Sequence, residues 1–179
     1  MEAKKKALPA WAILAMICAV AGLLLGVVNA VTEGPIAEGA VAAANEARKT
    51  LFPDADRFES VAVGADSGIT ECFEAYAGGT MLGHVARLTV PGSQADIEVT
   101  VGIRPDDTLT GIQVGGTSFA ETAGLGAKVK EEPFRSQFVD LKLPAVLKEN
   151  IDAVTSATIS SRAVTDAVNK AADFVGGIR

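Results

Sequence analysis

The residues of this chain best suited to chemistry gather in two short segments. One is Asp152-Ala153-Val154-Thr155-Ser156-Ala157-Thr158, set directly before a strongly patterned C-terminal helix. It places small side chains and hydroxyls where a helix exposes unpaired N–H groups and the positive end of its dipole. That location suits a phosphate by hydrogen bonding and by charge. Arg162 lies one turn further on. The plain alternative is a set of helix caps, the common use of Ser and Thr there. The other segment is Glu121-Thr122-Ala123-Gly124-Leu125-Gly126, with Lys128 just after it; its plain alternative is a glycine turn. Elsewhere the signals are weak. His84 is the only histidine, which removes His-based metal sets and Ser-His-Asp triads together. It reads as a structural or solvent-exposed strand residue. Cys72 reads as a small half-buried apolar residue without an adjacent base to activate it. Asp106-Asp107 reads as a turn, since no EF-hand spacing follows. No catalytic residue and no metal site is expected.

Asp152 through Thr158 resembles a flavinylation motif: Asp, two variable residues, Ser or Thr, Gly, Ala, Thr. That motif marks the FMN-binding domain shared by the G subunit of the Rnf electron-transport complex and the C subunit of the sodium-pumping NADH:quinone oxidoreductase. Asp152, Thr155, Ala157 and Thr158 match residue by residue. Ser156 stands where the family usually has glycine, and serine restricts a backbone of positive φ. The resemblance implies FMN esterified through its phosphate to Thr158, by a dedicated flavin transferase that uses FAD. Residues 121–126 resemble the family's Glu-Thr-Pro-Gly-Leu-Gly stretch, with Ala123 in place of proline. In the family that stretch lines the flavin site. The implied cofactor-binding residues are Glu121, Thr122, Gly124, Leu125, Gly126, Lys128, Thr155, Ser156 and Ala157. Gly124 and Gly126 would let backbone approach a flat ring, and Leu125 would supply apolar surface. Thr122, backbone N–H groups and Lys128 would reach the polar edge, the phosphate or the ribityl chain.

The likeness also covers the membrane helix, the strand entry at 79–83 and the strand at 99–103, and the short length fits the Rnf protein better. It implies an electron relay between reduced ferredoxin and NAD, coupled to sodium or proton translocation, beside iron–sulfur and integral-membrane subunits. Two alternatives stay open within the flavin reading: a subunit of the sodium-pumping oxidoreductase, and part of an extracytoplasmic flavin-dependent reductase. A third, of another class, is an anchored scaffold with an unmodified Thr158. With no Rossmann fingerprint and no acid–base constellation, no turnover is expected of this chain alone.

These segments need elements to hold them. Ser160 and Ser161 offer N-caps for a helix whose Ala163, Val164, Ala167, Val168, Ala171, Phe174 and Val175 form one apolar face, with Gly176-Gly177 ending it. From 57 to 115 the period is two. Phe58, Val61 and Val63 suggest a first strand; Cys72, Phe73, Ala75 and Tyr76 a second; then come 81–90, 97–103 and 109–114. The turns fall at Gly78-Gly79, Pro91-Gly92 and Pro105-Asp106-Asp107, too short for parallel crossovers, so the sheet is predicted antiparallel. Alternation over 97–103 predicts one buried face. A short helix is expected near 133–138. Residues 33–51 read as a helix with the stripe Ile36, Ala40, Ala43, Ala47 and Leu51, continuing from the segment before it. Pro35 fits its first turn and Pro53 closes it.

Residues 7–32 carry no charge, and about 20 apolar residues suffice to cross a bilayer core. Lys4, Lys5 and Lys6 precede this run, and Glu33 and Glu38 follow it. The positive-inside rule then places the N-terminus in the cytoplasm and the rest outside, in a single-pass protein of the cell (inner) membrane. A cleavable signal peptide, suggested by Val28-Asn29-Ala30, is disfavoured because the run exceeds the about 7–15 residues of a usual apolar region. The net charge of -6 and the scattered basic residues exclude nucleic acid as a partner. Cys18 lies inside the apolar run and Cys72 beyond it, so no internal disulfide is expected. The expected fold class is α+β: a single N-terminal transmembrane helix followed by one extracytoplasmic FMN-binding domain, with an antiparallel sheet and flanking helices. Its boundaries are 1–32 for the basic N-terminus and span, 33–52 for the juxtamembrane helix and 53–179 for the domain.

Overall fold

The computed structural model describes residues 9–64, 67–116 and 119–179; Lys4, Lys5 and Lys6 lie outside the described residues. The chain forms two compact units, Met1–Val41 and Ala42–Arg179. The first is occupied by helix α1 (Ala10–Leu51), which runs on into the second. Its large apolar side chains, from Trp11 through Val31, are all exposed, and the helix is long and apolar enough to cross a membrane. The helix is not restarted near Glu33. Pro35 is an interior residue of α1 rather than part of a first turn, and its missing N–H leaves one helix hydrogen bond unmade there.

The second unit is built on a five-stranded sheet. Strands β1 (Arg57–Val61), β2 (Ile69–Ala77), β3 (Thr80–Pro91), β4 (Asp96–Ile103) and β5 (Leu109–Gly115) lie side by side in sequence order, every pair antiparallel. Gly78 and Gly79 both have positive φ at the β2–β3 turn, which a two-residue hairpin requires. Val63 falls outside β1. After β5 come a short 3-10 turn (Gly126–Lys130), helix α2 (Glu132–Arg135), a second 3-10 turn (Ser136–Phe138) and helix α3 (Thr158–Ile178).

Helix α3 packs on β3 and β4. Val164, Ala167, Val168, Ala171 and Val175 meet Leu88, Ile97, Val99, Val101 and Ile103, all buried, with Phe138 and Ile151 closing the end. Each fully buried Val, Leu or Ile there contributes about 1.5–3 kcal/mol over an exposed one. The helix continues through Gly176-Gly177 to Ile178, so that pair does not end it. Arg179 then donates to the Asp107 carboxylate at 2.6 Å and to the Arg104 carbonyl at 2.7 Å, tying the β4–β5 turn.

The sheet has two covered faces, not one. Thr100 and Gly102 of β4 are buried along with their apolar neighbours. There Leu51 and Phe52 pack in a smaller cluster with Ala75 of β2 and Val85 of β3. A Cβ at Gly102 would collide with the Thr110 hydroxyl and stand 3.1 Å from Leu51 and 3.3 Å from Phe52, which explains the glycine. Beside it runs a polar lattice. Arg48 stacks on Phe73 at 3.8 Å and pairs with Glu71 at 3.1 Å; Arg87 pairs with Glu98 at 2.7 Å.

Candidate functional site

Thr158 is the first residue of α3 and its side chain is exposed. No side chain caps this helix; the N-cap position is held by Ala157. The leading N–H groups are therefore left for solvent or a ligand. Ser160 and Ser161 are not caps. Both are fully buried inside the first turn, because side chains at these positions point back toward the loop before the helix. The Ser161 hydroxyl donates to the Ala157 carbonyl and accepts from the Val154 N–H, each at 3.0 Å. The Ser160 hydroxyl donates to Glu121 at 3.0 Å.

Thr158 opens onto a groove of about 420 Å³. Val90 and Pro91 at the end of β3 form one wall; Thr158, Ile159, Arg162, Ala163 and Asp166 of α3 form the other. Cofactor pockets span about 300–1,000 Å³ and are mostly apolar with a few polar groups, and this groove has that character. Val90, Pro91, Ala163 and Ile159, the last 65% exposed, give the apolar surface. Arg162 gives a positive charge one turn from Thr158. These conditions fit an aromatic ring carried on a phosphate.

The segment before Thr158 is pinned from both ends. At Asp152, Gln137 accepts from the backbone N–H at 2.6 Å and donates to the carbonyl at 3.3 Å. At the other end stands Ser161. Asp152 and Thr155 line a second cleft of about 330 Å³, together with Lys128, Glu131 and Phe134. The two ends of the motif thus serve different clefts: Asp152 and Thr155 one, Thr158 the other. Ser156 lies between them at φ 62°, the left-handed region that favours glycine. Ala157 is buried.

The second segment divides. Glu121 is only 8% exposed and faces inward. One carboxylate oxygen accepts the N–H groups of Ser93 at 2.7 Å and Gln94 at 3.1 Å, and the other accepts from Ser160. Burial pushes its pKa up, but the Gln94 amide, the Ser160 hydroxyl and the Ser93 and Ala95 amides together outweigh that and hold it below the ordinary value. Gly126 is buried, and a Cβ there would collide with the Glu121 carboxylate and meet Ser160 at 2.9 Å. Its close approach is to the protein's own side chains. Thr122, Gly124 and Leu125 are exposed and are not among the residues lining either cleft; Gly124 has φ 76°. Lys128 joins Asp152 and Thr155 instead.

Several residues gave no sign in the sequence of a place at the site, although Ser160 and Ser161 read as caps and Ala163 as part of an apolar helix face. Val90, Pro91, Ile159, Ala163 and Asp166 line the groove, and Gln137, Ser160 and Ser161 hold its frame. Pro91-Gly92 was legible only as a turn. Away from the groove, His84 is buried 3.7 Å from Glu74; burial first, then the Arg179 charge, lowers its pKa, while Glu74 pulls the other way. Burial, then the Glu74 charge, raises the Cys72 thiol to about 11, which keeps it inert. Asp106 accepts the Thr108 N–H at 3.1 Å, an ordinary turn contact. Among the described residues no three His, Cys, Asp or Glu side chains are grouped to hold a metal ion.

The family model for the FMN-binding domain matches residues 92–173, a stretch that includes much of the groove, the Glu121 segment and the Thr158 motif. The chain is 32% identical over 175 residues to the G subunit of the proton-translocating ferredoxin:NAD(+) oxidoreductase complex of Clostridium ljungdahlii, covering 92% of this chain and 91% of that protein. It is 36% identical over 172 residues to the G subunit of the ion-translocating oxidoreductase complex of Methanosarcina acetivorans, covering 89% of each. It is 33% identical over 198 residues to the G subunit of the Na(+)-translocating ferredoxin:NAD(+) oxidoreductase complex of Acetobacterium woodii, covering 94% of this chain and 95% of that one.

Proposed function

We propose, from the premise that this chain belongs to the family of G subunits of ion-translocating oxidoreductase complexes, that it relays electrons in such a complex through FMN bound covalently at Thr158. The observation that carries the reading is the exposed Thr158 hydroxyl at an uncapped helix start, opening onto a partly apolar groove that also holds Arg162. Attachment would join the Thr158 oxygen to the phosphorus of the FMN half of FAD. The phosphoanhydride bond of FAD breaks, AMP leaves, and the hydroxyl proton is lost. The flavin transferase implied by the motif would catalyse the step.

In this reading the first-turn N–H groups and Arg162 hold the phosphate, while Val90, Pro91 and Ile159 shelter the ring from water. FMN supplies the redox chemistry, accepting one or two electrons; the chain supplies position and surroundings. The relatives are named for proton and for sodium translocation at nearly equal identity, so the proposal is ion translocation of either kind. The other partners would be the iron–sulfur and integral-membrane subunits of the complex, with α1 as the anchor. The domain is proposed to lie outside the cytoplasm.

Thr158→Ala tests the attachment. In a host that contains the transferase, the wild-type band is expected to fluoresce in a denaturing gel and the variant band to be dark, with both chains folded. A fluorescent Thr158→Ala band would move the attachment elsewhere. A dark wild-type band would favour the scaffold reading.

A further inference from the structure

The geometry points to Glu121 as a positioning residue that sets the width of the groove beside Thr158, an inference that rests on the reading of Thr158 as the flavin attachment site. The groove has two walls, the end of β3 at Val90 and Pro91 and the first turns of α3. Beyond the general packing of α3 on β3, the buried Glu121 side chain ties the turn after β3 to the first turn of α3. Glu121 takes the amides of Ser93 and Gln94, just after Pro91, on one oxygen. Its other oxygen takes the hydroxyl of Ser160, two residues after Thr158. Space for the carboxylate is built in from two sides, since a Cβ at Gly92 or at Gly126 would each collide with it. A buried, ionised acceptor makes shorter and stronger hydrogen bonds than a neutral one, so the bridge acts as a strut of fixed length.

The strut acts on the cofactor through Ser160 and through the β3–β4 turn, not by touching it. Losing it leaves the β3 end and the Thr158 turn free to part. Displacements near 1 Å at a reacting group cost about a hundredfold in rate, so a partial loss of register predicts at least a roughly tenfold slower attachment.

The test uses the full chain in its own host, with an epitope tag to normalise flavin fluorescence in denaturing gels. Glu121→Ala is expected to slow flavin incorporation at least about tenfold after induction, and Ser160→Ala to slow it by a smaller factor. Glu121→Gln keeps the shape. It still accepts the two amides and can donate to the Ser160 oxygen, though through weaker neutral bonds, so it is expected to restore most of the incorporation. A merely structural role would lower the melting temperature of Glu121→Ala and leave the rate per folded chain unchanged, which overturns the inference. If Glu121→Ala does not accumulate, Ser160→Ala decides by the same measure. Hydrogen exchange separates this inference from the reading beneath it. A wild-type chain without flavin removes that reading. Faster exchange at the Ser93 and Gln94 amides in Glu121→Ala, absent in Glu121→Gln, would still support the strut, and equal exchange would remove it.

Discussion

Ser156 sits in the left-handed region at φ 62° in the middle of the segment that presents Thr158. A side chain there costs about 1–2 kcal/mol, a cost glycine avoids. Ser156→Gly is therefore expected to stabilise the chain by about 1 kcal/mol, a rise of ~2–4 °C in Tm for a chain of this size. A melt of the detergent-solubilised protein that is unchanged or lower would show that serine gives something back there. The sequence exposed this conflict, because serine stands where the motif it resembles has glycine. It hid the roles of Ser160 and Ser161, since serines at a helix start read as caps whether they face out or in. It also hid the use of Glu121, whose partners lie 27 to 39 residues away along the chain. A carboxylate in a glycine-rich loop reads as a ligand group until those partners are seen.

At the level of elements, the strands were legible because period-two alternation and glycine or proline turns are local signals, and α3 because its apolar positions recur at helical spacing. The second covered face of β4 was not, because its cover comes from Leu51 and Phe52, distant in sequence and few in number. The uncapped start of α3 is held by Ser161, so this hydroxyl and the Asp152 carboxylate have different work. Ser161→Ala leaves the part-buried Val154 N–H without its partner and is expected to destabilise by about 1–3 kcal/mol. Asp152→Ala alters an exposed side chain and should stay within about 0.5 kcal/mol. Denaturant melts of the two variants check this. A loss of gel fluorescence in Asp152→Ala at unchanged stability would mark that carboxylate as part of what the flavin transferase recognises.

For the molecule as a whole, charge is distributed unevenly about the apolar run, with Lys4, Lys5 and Lys6 before it and Glu33 and Glu38 after it. A reporter active only outside the cytoplasm, fused after Arg179, is expected to work, and one active only inside is expected to stay silent. The reverse pattern would put the domain, and the electron path through it, on the cytoplasmic side.

The sheet order β1-β2-β3-β4-β5 has a kinetic consequence. Every strand pairs with its sequence neighbour, so each hairpin can close across a short loop before the next strand is added. The groove cannot form so early. It needs the end of β3 to meet the start of α3, across all the chain between Pro91 and Thr158, and that long closure comes after the local ones. Thr158 therefore gains its surroundings only once the last helix has docked. The phosphoester bond proposed there would work as a timestamp: chains that bore it would have completed their assembly, and chains stalled with a finished sheet but a loose α3 would stay unlabelled.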